Sequence, residues 1–274
     1  MTIEFRYTTR EAVNILKTLI LCETAIVSIY LLSYLLGRPS FTIHALFDLD
    51  GEACIPAWFS SMQLFMTGAL LWLASRSCRR EKPSPLFLKL ASAGFIYISA
   101  DEAAMIHERV GTVLKSLPHV PSIHGHGAWI PFYVIAGLFF VLVMGRHFYF
   151  LWRDFRRELI WVLGGMAVFL FGALGMEVIG DLLRSGSLED ASRFYVLEVA
   201  IEEFCEMSGM SVVFHGVMRF LLQLHRERAT ELAPLPTPVI SSVLPAMAAV
   251  AVPVDHALLV QSDALQHPDE QHIA

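Results

Sequence analysis

Long apolar stretches alternate with short polar segments over the first 228 residues of the chain. Each stretch is about 20 residues or longer, which is the helix length needed to cross the hydrocarbon core of a bilayer. The pattern therefore predicts an all-α fold, a polytopic membrane helical bundle of about six transmembrane helices. The predicted spans are residues 14–36, 55–75, 87–113, 129–151, 159–183 and 194–224.

The pattern changes after residue 228. The stretch ELAPLPTPVISSVLPAMAAVAVPV is interrupted by prolines, and the end of the chain, QSDALQHPDEQHIA, is polar. Proline removes a backbone donor and interrupts helices, which argues against a seventh span here. We expect residues 1–228 to form a six-helix transmembrane domain and residues 229–274 to form a flexible tail, with a segment lying on the membrane surface as the alternative.

Composition supports the membrane interpretation. Hydrophobic residues make up 55% of the chain and charged residues 17%, with a mean hydropathy of +0.55. The formal net charge of −6 excludes a basic nucleic-acid-binding surface. The four cysteines show no metal-ligand spacing, so neither a zinc motif nor a disulfide framework is expected.

Basic residues predict an orientation. Fifteen of the 20 lysines and arginines fall on the side of the predicted spans that carries both chain termini. Cytoplasmic loops carry the excess of Lys and Arg in membrane proteins. We therefore expect a multipass protein of the bacterial inner (cytoplasmic) membrane, with both termini in the cytoplasm. No small-residue cleavage site follows the first apolar stretch, which we expect to remain as an anchor.

Acidic residues collect on the opposite, periplasmic side. A charged residue near mid-bilayer costs about 2.5–3.5 kcal/mol on insertion scales, so acids within spans must face the bundle interior, bind cations or carry protons. The outer halves of the third, fifth and sixth spans supply Asp101, Glu102, His107, Glu108, Glu177, Asp181, Glu198, Glu202, Glu203 and Glu206, and the loop before the second span supplies Glu52.

The angular positions of these acids around their helices place them on different helix faces. At about 100° per residue, Asp101 and Glu108 share one stripe of a continuous helix, with His107 beside it and Glu102 pointing away. On the sixth span Glu198, Glu202 and Glu206 share an arc of about 80°, and Glu203 stands apart.

Carboxylates converging with an imidazole in a helical bundle predict a divalent metal site. Oxygen-rich donor sets favour iron or manganese over zinc. We expect a membrane metalloenzyme, an oxidoreductase or a hydrolase, acting on a lipid or another hydrophobic substrate from the periplasmic side, with Glu198 and Glu52 as general base or outer-shell groups. The expected ligands are Asp101, His107, Glu108, Glu177, Glu202 and Glu206.

Three alternatives remain open. The acids could serve a proton- or cation-coupled transporter or channel, which predicts an acidic path to the cytoplasmic face. They could form a satisfied polar network, although the outer side offers few basic partners. They could also mediate contacts in an assembly or scaffold subunit, in which case they would face outward.

Four segments, FDLDGEACIPAWFSS, SADEAAMIHE, GALGMEVIGD and EVAIEEFCEMSG, together resemble uncharacterised bacterial multipass inner-membrane proteins. The resemblance covers roughly residues 45–220. It implies a membrane location and carries no established activity or catalytic residues.

Overall fold

A computed structural model describes residues 7–51, 53–78, 83–115, 129–176, 178–180 and 191–232. Over these ranges the chain forms helices and no strands. The helices are α1 (Thr9–Leu35), α2 (Phe41–Leu46), α3 (Ile55–Ser77), α4 (Pro85–Ala104), α5 (Ile106–Lys115), α6 (Ile130–Asp154), α7 (Arg156–Leu170), which continues as a π-helical segment (Phe171–Met176), and α8 (Ala191–Leu232).

The chain is a polytopic membrane helical bundle, as predicted. Five helical segments within the described ranges are long and apolar enough to cross a membrane: α1, α3, α6, α8 and the α7 segment from Arg156 to Gly180. Large apolar side chains such as Leu142 of α6, 80% exposed, cover the outer surface. Such a surface suits lipid, because only hydrocarbon solvates it without cost.

Helix α8 forms the centre of the bundle. In its most apolar stretch 72% of the residues are buried, against 6% in α6. Close approach of α7 explains part of this burial, because a Cβ atom at Gly165 would lie only 2.6 Å from the carbonyl oxygen of Gly209. The glycines of the fifth predicted span thus permit close helix packing.

Local sequence explains several helix ends. The Thr8 hydroxyl accepts from the Glu11 backbone N–H, and the Glu11 carboxylate accepts from the Thr8 N–H, forming a capping box at the start of α1. Ser84 caps α4 ahead of Pro85. Proline at the first position of α4 is harmless, because the missing N–H would have no helical partner there.

The third predicted span is not one continuous helix, so the prediction of a single helix over 87–113 was wrong. Met105 adopts a left-handed conformation (φ 55°, ψ 41°) and ends α4, and α5 begins at Ile106. Helix α4 is 20 residues long but carries Lys89, Asp101 and Glu102, which sets it apart from the five more apolar segments.

The structure ends its first compact unit at Leu232, with α8 running four residues beyond the predicted boundary at 228. Of the predicted tail at 229–274, residues 233–274 lie outside the described residues, so the flexibility of the tail remains a prediction. The cysteines Cys22, Cys54, Cys78 and Cys205 are all free thiols, in keeping with the expectation that no disulfide framework exists.

Candidate functional site

A cavity of about 880 Å³ lies within the bundle. Its walls come from α3 to α8 and from the segment just before α3, and they are mainly apolar along most of the cavity. Binding pockets for small molecules are typically apolar clefts of about 300–1,000 Å³ with a few polar groups. The cavity therefore has the size and character of a site for a hydrophobic ligand. Representative wall residues are Phe87, Phe95, Val141, Phe169 and Phe220.

Carboxyl groups line the end of this cavity where α4 ends and α8 begins. Glu198, which is 7% exposed, was expected as a general base and lies here together with five of the six expected metal ligands. Two further expected residues, Glu177 and Glu52, lie outside the described residues, as does Asp181. The acidic lining consists of Asp50, Asp101, Glu102, Glu108, Glu198, Glu202, Glu203 and Glu206, with His107 among them.

His107 is fixed by Asp101 across the break between α4 and α5. The His107 backbone N–H donates to Asp101 Oδ1 at 2.6 Å, and the ring Nδ1 lies 3.3 Å from the same oxygen. An N–H at the start of a helix has no partner within the helix, so Asp101 acts as a cap for α5. The second oxygen, Oδ2, accepts from the Tyr133 hydroxyl at 3.1 Å.

Two aromatic residues, Trp129 just before α6 and Tyr133 in its first turn, complete this corner. Trp129 packs against the His107 ring with 4.7 Å between ring centroids, and Tyr133 packs edge-on against Trp129 at 5.2 Å. The sequence pattern did not single out either residue, because aromatic side chains are common at span ends in any membrane protein. Together with Asp101 they restrict the orientation of the imidazole.

The break at Met105 changes the predicted helical phase. On a continuous helix Asp101 and Glu108 would share a stripe, but in the structure Asp101 is buried and Glu108 is exposed. Glu108 still lines the cavity, at a place where the cavity meets the surface. The predicted shared stripe was wrong, because the left-handed residue rotates α5 relative to α4.

Glu102 and Glu203 belong to the site, although the phase argument set both aside. Glu203 interacts electrostatically with Glu102 and Glu202, and Glu206 interacts with the same three carboxyls. Glu102 also interacts with His107 and Asp101. Helix α8 is surrounded by other helices. The face that carries Glu203 therefore lies inside the bundle, as does the adjacent face that carries Glu202 and Glu206.

The carboxyl groups line one cavity; Asp101 and Glu198 are buried, Asp50 and Glu108 are exposed, and the other four are half-buried. Like charges at short range in a low dielectric oppose simultaneous ionisation, so such a group favours bound cations or shared protons. The lining of the cavity contains no lysine or arginine over the ranges that the structure describes.

The donor chemistry fits a hard or intermediate divalent metal, but the described side chains do not form a complete metal site. Within the described ranges no three His, Cys, Asp or Glu side chains are arranged so that they could hold a metal ion. Glu177, an expected ligand, directly follows the π-helical segment and lies outside those ranges. Such π-helical turns occur frequently at functional sites, since they widen a helix locally.

Cys54, at the start of α3, was not predicted to take part in the site. Its Sγ donates to the Gly51 carbonyl oxygen at 2.7 Å. Burial raises the pKa of the Cys54 thiol, a hydrogen bond with the Ala57 backbone lowers it by a smaller amount, and the carboxylates of Glu203, Asp48 and Glu102 raise it with still smaller effects. The thiol therefore reports on the charge of the acidic end.

The fold and the site define an integral membrane helical protein with an interior cavity that is apolar along its length and acidic at one end. The chain belongs to the family described as Domain of unknown function (DUF8692), whose model matches residues 19–221. No curated protein and no solved structure matches the chain.

Proposed function

We propose that this protein is an integral membrane enzyme that acts on a lipid or another hydrophobic substrate at the acidic end of the cavity. The observation that carries the proposal is the continuity of one cavity, in which apolar walls for a hydrophobic chain lead to the carboxyl groups and His107. Apolar pockets with a few convergent polar groups are the usual form of such sites.

A divalent metal ion, iron or manganese rather than zinc, is the proposed cofactor. The proposed ligands are His107, Glu202 and Glu206, which line the cavity, and Glu177, an expected ligand from the sequence. Asp101 would orient His107 rather than bind the metal, because both of its oxygens already have partners. Carboxylate-orienting contacts of this kind fix the ring of a ligating histidine.

Metal analysis tests this proposal. The wild-type protein, purified without added chelator, should contain iron or manganese, and Glu202→Gln and Glu206→Gln should each lose most of it. Glu227→Gln is the matched control, since Glu227 lies on the same helix but away from the cavity. Absence of all three of iron, manganese and zinc from the wild type would overturn the metalloenzyme proposal.

A second candidate is proton- or cation-coupled transport. It is favoured by the extent of the cavity, which continues to Glu158 at the start of α7, where Glu158 Oε1 lies 3.8 Å from an Arg219 nitrogen. Between the two ends the described wall residues are apolar and supply no relay of titratable side chains. Cation or proton flux into proteoliposomes that persists after metal removal, and is abolished by Glu203→Gln, would favour transport over catalysis.

We further propose that α4 crosses the membrane as a sixth span and that both termini lie in the cytoplasm of a bacterial cell. The length of α4 and the distribution of lysine and arginine support this topology. The acidic end would then face the periplasm. A reporter that matures only in the cytoplasm, fused after Leu232, should be active, and an inactive fusion that is still expressed would contradict the orientation.

A further inference from the structure

Glu23 is a buried carboxyl group in the middle of α1, outside the cavity. Along the helix it lies about 21 Å from Thr9 and about 18 Å from Leu35, so it is close to the centre of this span. Glu23 is 0% exposed, and the described lining of the cavity does not include it. A carboxyl group at such a depth is retained where its oxygens have partners and its charge is neutralised.

Hydrogen-bond donors reach only one of the two Glu23 oxygens. Gln63 Nε2 of α3 donates to Glu23 Oε1 at 2.8 Å, and Ser211 Oγ of α8 donates to the same oxygen at 2.5 Å. Within the part of the chain that the structure describes, Glu23 Oε2 and Gln63 Oε1 have no hydrogen-bond partner. Both atoms are acceptors, and they belong to two groups that are already hydrogen-bonded to each other. The site therefore lacks one donor hydrogen.

Buried apolar side chains lie next to these polar groups along the helices. Ile26, one turn from Glu23 on α1, and Met207 of α8 belong to one buried cluster, and Met210 of α8 is 0% exposed. Over the described residues no charged side chain acts on Glu23, whose interactions are the two hydrogen bonds from α3 and α8. The carboxyl group is thus placed in an apolar interior with two neutral donors.

Charged groups elsewhere on the same helices are directed away from Glu23 or lie far from it. Lys17 of α1 is exposed, Glu206 of α8 lines the cavity, and His215 Nδ1 of α8 lies 3.1 Å from the Ala12 carbonyl oxygen. Three basic residues without described side chains lie near the ends of α1, α3 and α8. At least 14 helical residues, about 21 Å, separate each of them from the site. They are Arg6, Arg79 and Arg193.

We propose that α1, α3 and α8 form a proton-binding site, in which Glu23 is a neutral carboxylic acid with its proton on Oε2. The acid donates through Oε2 to Gln63 Oε1, while its carbonyl oxygen Oε1 accepts from Gln63 Nε2 and from Ser211. One proton thus satisfies both unpartnered oxygens and removes a negative charge from the interior of the bundle.

A metal ion suits this site less well than a proton. Gln63 and Ser211 both direct hydrogens at the Glu23 carboxyl group. Metal cations such as Ca²⁺ and Mg²⁺ are bound by the lone pairs of oxygen atoms, which the two donors do not present to Glu23. The inference goes beyond the proposed function, because the site lies outside the cavity lining.

Infrared difference spectroscopy of the full-length protein in lipid bilayers tests the inference. A protonated carboxyl group gives a C=O stretching band that an ionised carboxylate lacks, and this band shifts to lower wavenumber in D₂O. The spectrum of Glu23→Gln is subtracted from that of the wild type at neutral pH. The difference should contain the band of a single protonated carboxyl group per chain and no carboxylate bands.

Glu11→Gln is the matched control on the same helix. Glu11 is exposed at the start of α1, where its carboxylate accepts from the Thr8 N–H. An exposed acid is ionised at neutral pH, so the same subtraction should give carboxylate bands. Ser211→Ala is a second variant, which keeps Glu23 but removes one donor to its carbonyl oxygen. The C=O band should then move to higher wavenumber.

The outcomes are separate from those of the proposed function. Carboxylate bands in the Glu23→Gln difference would overturn the proton site, whatever metal the protein contains. If Glu23→Gln does not fold, the comparison of the wild type with Ser211→Ala decides. A shifted C=O band then supports a protonated Glu23, and an unchanged spectrum in this region contradicts it.

Discussion

One oxygen of Asp101, Oδ1, contacts both the backbone N–H of His107 at 2.6 Å and the His107 ring Nδ1 at 3.3 Å. A single carboxylate thus caps the first turn of α5 and orients the imidazole that lies at the acidic end of the cavity. The backbone break at Met105 makes this double contact possible, because it brings the start of α5 back over the end of α4.

Removal of the Asp101 carboxylate should loosen α5 as well as the His107 ring. Asp101→Ala should lower the stability of the α4–α5 junction by about 1–2 kcal/mol, the usual effect of losing a helix cap. Amide hydrogen exchange over residues 106–112 measures this loss directly. Asp101→Asn keeps an oxygen that can accept from the His107 N–H, and it should restore most of the protection from exchange.

Tyr133→Phe serves as the control for the Asp101 variants. It removes the hydrogen bonds of the Tyr133 hydroxyl with Asp101 Oδ2 and with the Tyr97 hydroxyl, and it leaves the cap of α5 in place. Exchange over residues 106–112 should therefore stay close to wild type. Exchange in Asp101→Ala that matches the wild type would show that Asp101 does not hold α5.

The contact of α7 with α8 should be sensitive to a single methyl group. A Cβ atom at Gly165 would lie 2.6 Å from both the Gly209 carbonyl oxygen and the Val213 nitrogen, so Gly165→Ala must push two backbones apart. Overpacking of this kind typically costs about 1–3 kcal/mol, measurable as a fall in the free energy of unfolding in mixed micelles.

Gly164 offers the matched control one residue away. A Cβ atom there would meet nothing within 4 Å, and alanine favours the helix more than glycine does. Gly164→Ala should leave the stability unchanged or raise it slightly. Equal destabilisation by the two substitutions would show that helix propensity, not close packing, controls this helix.

The thiol of Cys54 should report the charge of Glu203. Burial and nearby carboxylates raise the pKa of Cys54, so the thiol stays protonated to a higher pH than an ordinary cysteine. Glu203→Gln removes one negative neighbour, and the pKa should fall towards its ordinary value. At a fixed pH the thiolate fraction, and with it the rate of alkylation, should therefore increase.

The measurement is the pH profile of alkylation by a small haloacetamide, in a background where Cys22, Cys78 and Cys205 are alanine. The midpoint should move to lower pH in Glu203→Gln. Glu227→Gln, which changes an acid of α8 far from Cys54, should leave the midpoint in place. A midpoint that moves equally in both variants would exclude a specific effect of Glu203.

The sequence was sufficient to predict most of the helices, because an apolar stretch long enough to cross a bilayer leaves the backbone few alternatives to a helix. It was not sufficient to predict the break at Met105. Neither glycine nor proline occurs in DEAAMIHE, and Asp101 stabilises the break through a tertiary contact rather than a local signal.

The residues of the site were predicted only in part. Phase arguments treat a helix as having one buried face; they grouped Glu198, Glu202 and Glu206 on one arc, and all three line the cavity. They set aside Glu203 because they cannot anticipate that α8 is enclosed on several sides. Apolar residues on all faces of α8 after Met207 were the signal that would have indicated such burial.

A polar network below the acidic end joins three helices. Gln63 Nε2 of α3 donates to Glu23 Oε1 of α1 and to Ser211 Oγ of α8, both at 2.8 Å, and Ser211 Oγ donates to the same Glu23 oxygen at 2.5 Å. All three side chains are buried. Among the described residues, Glu23 Oε2 and Gln63 Oε1 have no hydrogen-bond partner.

Substitutions at Glu23 should therefore distinguish the contribution of Oε1, which accepts two hydrogen bonds, from that of Oε2, which accepts none. Glu23→Ala leaves the buried donors of Gln63 and Ser211 without an acceptor, which costs about 1–3 kcal/mol in addition to the space left behind. Glu23→Gln keeps an accepting oxygen and places an N–H where the unpartnered oxygen stood, so its stability should equal or exceed that of the wild type.

A double-mutant cycle provides the decisive measurement. Ser211→Ala alone removes one donor to Glu23, but in the Glu23→Ala background that hydroxyl has already lost its acceptor. The combined loss in the free energy of unfolding should thus be smaller than the sum of the single losses, by roughly 0.5–3 kcal/mol for residues in one network. Strict additivity would mean that Glu23 and Ser211 do not interact in the membrane, and that the network does not hold α1 against α8.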